Sequence, residues 1–218
     1  MLKYFSIPNF FDAPLAFNSI PKILAGLPIS LVLTIISFAL ALALGLMLTL
    51  AQLSKHKLLH QLARGFISFM RGVPMIVVLF VIYFGFNTAA LPAAIISFSI
   101  VSSAFVSEVF RSSFMAIDPG QWEAAYSLGL PYRVVIAKIV FPQAFKIAIP
   151  ALGNILLDLF KGTSLAAMIT VSEMFMDAQI IAGAHQDYMT IYLTIAVIYW
   201  FFCWLLTIAQ TVLERHLA

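Results

Sequence analysis

The stretch ILAGLPISLVLTIISFALALALGLMLTLAQL, from Ile23 to Leu53, holds no charged side chain. A bilayer core about 30 Å thick is crossed by about 20 helical residues, so this run makes one tilted span, entered near Pro28. Ser54-Lys55-His56-Lys57 closes it with a basic cluster. The rest of the chain shares its character: of 218 residues, 63% are hydrophobic and 10% charged, with a mean hydropathy of +1.04. A soluble domain carries roughly 25% charged residues. The polar surface needed to face water on all sides is missing, which excludes a soluble globular protein.

Four more spans follow. Gly72 to Ser107 is uncharged and too long for one crossing, and Asn87 with Pro92 supplies a break. This predicts a hairpin of helices over about 66–86 and 93–112. The first must run through Arg71-Gly72-Val73-Pro74 to reach its length, which leaves Arg71 to snorkel to the interface. Ile147 to Asp158 and Leu165 to Ser172 make a fourth span, interrupted by Asp158 and Lys161. Tyr188 to Leu213 is the fifth, with Tyr188, Tyr192, Tyr199, Trp200 and Trp204 suited to interfaces or bundle packing. The expected fold is an all-α membrane protein of about five transmembrane helices. Residues 1–27 form an N-terminal segment interrupted by Pro8, Asp12, Pro14 and Pro21, with no cleaved signal peptide expected. The membrane domain covers 28–214.

The net charge of +3 and the pI near 9.1 come from cations spread between apolar runs, not from a nucleic-acid-binding stripe. With the N-terminus outside, Lys55, Lys57, Arg64, Arg71, Arg111, Arg133, Lys138, Lys146 and Arg215 fall on the cytoplasmic side, and Lys3 and Lys22 outside. The positive-inside bias therefore predicts N-outside, C-inside. The loop 113–146 is then cytoplasmic and the acidic connection 173–187 external. Cys203 excludes an internal disulfide, and His56, His60, His185 and His216 lack metal-ligand spacing. There is no phosphate-cradling Walker loop and no GxSxG nucleophile.

The loop reads as a docking part. Asp118 is an N-cap acceptor, Pro119 suits the first helical position, and Gln121 can complete a capping box. Gly129 and Pro131 stop the helix. Trp122, Ala125, Tyr126 and Leu128 make its surface adhesive. A second helix is expected from Tyr132 to about Phe141, ending at Pro142. A short helix presenting an aromatic and an acid suits insertion into a partner's groove; an interfacial helix lying on lipid is the other reading.

Glu123-Ala124-Ala125, three residues, Gly129, nine residues, Ile139, one residue, Phe141 and Pro142 resemble the EAA loop of permease subunits in ATP-binding-cassette importers, with Phe141 where Leu is usual. Arg71-Gly72-Val73-Pro74, Glu108 with Arg111, Gly120-Gln121-Trp122-Glu123, Pro142-Gln143-Ala144, Pro150-Ala151-Leu152-Gly153-Asn154 and Lys161-Gly162-Thr163-Ser164-Leu165 are similar to the polar amino-acid branch, Gly162 standing where Asp or Asn is expected. The resemblance covers roughly 28–214 and implies the type I importer permease fold in a bacterial cell membrane. It also implies a coupling helix, with Gln121, Glu123, Ala124, Ala125 and Gly129, docked on a cytoplasmic ATPase dimer. That ATPase would carry ATP and Mg, with no cofactor on this chain. A second permease subunit and an external solute-binding protein complete the implied assembly, with a small polar amino acid as substrate.

Asp158 and Lys161, at i and i+3, can share a helix face and partly neutralise each other. Counted from Pro150 they lie ~12–16 Å along a helix, near mid-membrane, where either charge alone is costly. They are expected beside the solute path with Thr163 and Ser164; a buried pair that locks helix packing is the alternative. Glu108 and Arg111 form a gate or a structural charge pair. Ser99, Ser103, Ser107 and Arg111 share a stripe whose small residues suit close packing. Glu173, Asp177, His185 and Asp187 are expected outside and solvated. An autonomous secondary transporter of small polar solutes is the alternative function, but internal repeats, its usual mark, are not seen. A membrane hydrolase would need a metal motif or paired acids in the spans.

Overall fold

The computed structural model describes residues 11–217. Ten α-helices run in chain order: α1 Ala13–Ala25, α2 Leu27–Gln52, α3 Lys57–Gly72, α4 Met75–Phe80, α5 Ala90–Met115, α6 Pro119–Ser127, α7 Tyr132–Val135, α8 Phe141–Gly162, α9 Met174–His185 and α10 Tyr188–Leu217. Four helical stretches are long and apolar enough to cross a membrane, within 27–52, 90–115, 132–169 and 188–216, and the bent pair Lys57–Gly72 and Met75–Gly85 counts as a fifth only if the two halves together make one broken span.

Helix α5 packs most extensively on α2, and small residues explain why. Ser37, Ala41, Gly45 and Thr49 of α2 are buried, as are Ser99, Ser103 and Ser107 of α5, so the backbones approach closely. The Thr49 hydroxyl donates to the Ser107 carbonyl at 3.0 Å, and Gln52 Nε2 to Ser107 Oγ at 2.9 Å. The serine stripe is thus a packing seam. A Cβ on Gly45 would stand 2.5 Å from Val106 Cγ1 and 3.0 Å from the Ser103 carbonyl oxygen. Gly45→Leu is therefore expected to destabilise the bundle by about 2–3 kcal/mol, read as a lowered midpoint of thermal unfolding in detergent. An unchanged midpoint would refute the close approach.

Three sequence expectations are corrected. The helix expected over 66–86 bends by 104°. Val73 is extended at φ −100° and ψ 132°, because the ring of Pro74 disfavours helical backbone in the residue before it. A π turn over Val81–Gly85 and left-handed Asn87 (φ +50°) then turn the chain into α5. The fourth span is not interrupted at Asp158 and Lys161: α8 runs through both to Gly162 and tightens into a 3-10 segment, Thr163–Ile169. Nor does Pro142 end the loop's second helix. A π turn over Ile136–Val140 joins α7 to α8, its wider coil accommodating the missing amide and bulky ring of Pro142.

The N-terminal segment also differs from expectation, while Lys3 and Pro8 lie outside the described residues. Asp12 and Pro14 initiate α1 instead of interrupting it, Asp12 Oδ1 accepting from the Leu15 amide at 3.0 Å. Helix α1 packs on α9 and α10, where Ile23, Met174, Ala178, Ile191 and Ile195 share one core. Within the connection expected to be solvated, Glu173 is fully buried. Its carboxylate caps α9 through the Met176 amide at 2.9 Å and accepts from the Tyr199 hydroxyl at 3.0 Å and the Ser30 hydroxyl at 3.4 Å. Asp187, by contrast, is half-buried. Hydrogen bonds from the Thr190 side chain and amide hold its carboxyl below the usual carboxylate range.

Candidate functional site

The loop end of the bundle is built on a core that joins Phe110 and Phe114 of α5, Ala125 of α6, Val135 of α7 and Ala144 of α8. Asp118 Oδ1 accepts from the Gly120 amide at 2.7 Å and starts α6. Gln121 completes no capping box; its Oε1 accepts from Gln143 Nε2 of α8 at 3.2 Å, which ties the loop helix sideways to the fourth span. Gly129 at φ +70° ends the turn. There the Leu130 amide donates to the Ala125 carbonyl at 3.2 Å and the Gly129 amide to the Tyr126 carbonyl at 2.9 Å, a left-handed cap that needs glycine.

This geometry gives α6 two unlike faces. Ala125 is buried against the span ends, with Trp122 and Leu130 partly so. Gln121, Glu123, Ala124, Tyr126 and Leu128 are exposed, and Leu128 keeps 78% of its surface. A shallow recess between Ile117, Pro119, Trp122, Glu123 and Tyr126 opens beside them. Helix α6 is therefore held rigidly from behind and presents an acid, an aromatic and an aliphatic residue in front. Such a surface can grip a protein but holds no reacting group.

A second polar surface lies on α8. Lys161 Nζ stands 2.8 Å from Asp158 Oδ1, and their side chains are 56% and 73% exposed. Within this chain the pair is thus not buried between helices. Asn154, one turn earlier and also exposed, continues the stripe. In the sequence it stands only as the last residue of the Pro150–Asn154 motif, although the i, i+4, i+7 spacing of Asn154, Asp158 and Lys161 places it with the pair. Thr163 and Ser164 behave differently: Thr163 is buried and donates to the Phe160 carbonyl at 2.8 Å, and Ser164 donates to the Lys161 carbonyl at 2.8 Å. The helix starts well before Pro150, and the pair lies ~24–29 Å along it from Pro142.

Glu108 and Arg111 of α5 do pair, Arg111 Nε donating to both carboxylate oxygens at 3.1 Å. Ile155 of α8 borders the same recess as Glu108, Arg71, Phe105 and Ser112. The two charge pairs therefore sit on neighbouring spans. Among the described residues, no group of His, Cys, Asp or Glu could hold a metal ion.

A bent helix bundle with a rigid loop helix at one end and an uncovered charge pair on a span has the build of a transporter's membrane subunit. The chain belongs to the binding-protein-dependent transport system inner membrane component family, whose model matches residues 41–218. It is 44% identical over 213 residues to the probable amino-acid ABC transporter permease YckA of Bacillus subtilis, covering 95% of this chain and 94% of that one. It is 38% identical to the B. subtilis L-cystine transport system permease TcyB, covering 90% and 87%. Among solved structures it resembles a crystal structure of an amino acid ABC transporter with histidines, at a TM-score of 0.88 and 30% identity over 94% of this chain and 98% of that one. The MetNI methionine ABC transporter in an inward-facing state shares the fold, at a TM-score of 0.73 and 18% identity over 95% of this chain and all of that one. This chain is thus a multi-pass inner-membrane permease of the ABC importer class, a non-catalytic subunit that works with a separate ATPase and a binding protein.

Proposed function

We infer that the chain imports an amino acid, with its N-terminus outside, its C-terminus in the cytoplasm, and the loop 113–146 docked on the ATPase. The observation that carries this reading is the Asp158–Lys161 pair on the open surface of a span. A charge on a span costs up to about 2.5–3.5 kcal/mol against lipid, so in this reading the stripe from Asn154 to Lys161 faces a second permease, alike or homologous, across a watered path. An amino acid carries one ammonium and one carboxylate, and can exchange partners with such a pair at little electrostatic cost. Relatives named for amino-acid and L-cystine transport support that substrate class.

In this reading ATP, with Mg, binds between the partner ATPases and draws them together. Gln121, Glu123, Ala124, Ala125 and Gly129 form the face they pull. The Gln121–Gln143 bond and the buried Ala125 pass the movement to α8 and α5, Glu108–Arg111 bracing or gating the latter. The spans shift between two states biased by a ligand on another chain. The membrane domain 28–214, with the external segment 1–27, encloses the path together with that second permease.

The test is uptake of radiolabelled amino acids into proteoliposomes holding the chain with its ATPase and binding protein. Uptake is expected only with ATP inside; uptake without ATP would establish a secondary transporter instead. Asp158→Asn is expected to lower uptake about tenfold or more while stimulated ATP hydrolysis persists, since one lost charge-assisted contact is worth about 1.5–3 kcal/mol. Normal uptake by that variant would remove the pair from the path.

A further inference from the structure

The loop end of the bundle carries a second polar feature that the transport reading leaves unused. One face of α3 turns His60, Arg64, Ser68 and Arg71 into a recess of about 550 Å³, closed on the other side by Glu108 and Arg111 of α5. Three arginines and a histidine thus meet one carboxylate. Glu108 is already committed to Arg111. Among the described residues, the ion pairs are that one and Asp158–Lys161, so neither Arg64 nor Arg71 has a carboxylate partner. Arg71 lies over the ring of Phe105, its Cζ 5.8 Å from the centroid. Nδ1 of His60 donates to the Gln52 carbonyl at 2.5 Å, which leaves Nε2 for another group.

The opposite face of α3 explains where this recess sits. Leu58, Leu62 and Phe69 keep 60%, 62% and 62% of their surface. A helix with such an apolar face and a basic one lies at the boundary between acyl chains and headgroups. Guanidinium groups at that depth reach the headgroup layer, and basic pockets between spans take up anionic headgroups.

We propose that the recess between α3 and α5 is a binding site for a phosphate-bearing anion, held by Arg64 and Arg71 with His60 and Ser68 at its edge. The planar forks of two arginines match phosphate oxygens in pairs. The volume accommodates the headgroup of a glycerophospholipid as well as a free phosphate. The site depends on neither substrate nor ATP, and its binding readout is separate from transport.

The test uses the permease–ATPase complex in detergent. Native mass spectrometry counts bound phosphatidylglycerol and phosphatidylcholine, and calorimetry measures inorganic phosphate. Arg64→Gln with Arg71→Gln is expected to weaken anion binding about tenfold or more. Arg64→Lys with Arg71→Lys should keep part of it. Lys55→Gln with Lys57→Gln, two exposed cations outside the recess, should bind as the unmodified complex does and shows that surface charge alone is not read.

Retention of phosphatidylglycerol over phosphatidylcholine, undisturbed by millimolar phosphate and lost in the glutamine variant, identifies a lipid headgroup. Binding of inorganic phosphate that displaces the lipid and is lost in the same variant identifies a free anion. Equal binding of both phospholipids, or a glutamine variant that assembles normally and binds as before, overturns the site. If the glutamine variant does not assemble, the lysine variant decides: a partial loss of phosphatidylglycerol or phosphate binding supports the site, and binding equal to that of the unmodified complex overturns it.

Discussion

Replacing Glu123 by lysine is expected to abolish ATP-driven uptake, by about tenfold at the least, while the chain inserts and accumulates normally. Glu123 lies on the exposed face of α6, whose fold depends on the Asp118 cap, the Gly129 turn and the buried Ala125. None of these involves its carboxylate, so the bundle should not notice the change. A docking partner would. Reversing a charge that becomes desolvated at an interface costs about 2–5 kcal/mol, or tenfold and more in occupancy. The check is paired: uptake into proteoliposomes, and co-purification of the ATPase. Uptake at the unmodified rate with the ATPase still bound would show that α6 is not the lever.

The second large effect falls far from the loop. Glu173→Ala is expected to destabilise the protein by about 2–4 kcal/mol, seen as a lowered thermal midpoint and reduced membrane abundance. The substitution removes the cap from α9 and the acceptor of the Tyr199 hydroxyl, and takes one of the partners of Ser30. It also leaves a gap where a fully buried side chain stood. Glu173→Gln keeps an acceptor oxygen and should cost less. Equal midpoints for all three proteins would mean that the carboxylate does not join α2, α9 and α10. Because Glu173 ties the end opposite the loop, the remaining protein should still recruit the ATPase, which distinguishes this defect from that of Glu123→Lys.

Much of this was legible in the chain because the signals are local. An uncharged run is a span whatever it packs against, so Ile23–Leu53 announced α2 and excluded a soluble fold. An aspartate before a proline and a glycine ten residues after that proline frame a helix by their own backbone chemistry, and α6 forms between them. The spacing of Glu123, Gly129, Ile139 and Pro142 led to the importer family that the matched model and relatives establish.

What the sequence could not decide depends on neighbours distant along the chain. Glu173 resembled any external acid until Ser30 and Tyr199 arrived from other helices. Gln121 had a plausible local partner, yet Gln143 of α8 outcompeted it. Proline at 142 looked like a stop, but a π turn carried the helix past it. Most of all, the order of Asp158 and Lys161 showed that they could pair, not which way they face. Facing is a property of the assembled bundle, because a helix turns its side chains through every direction and only packing chooses which of them are covered.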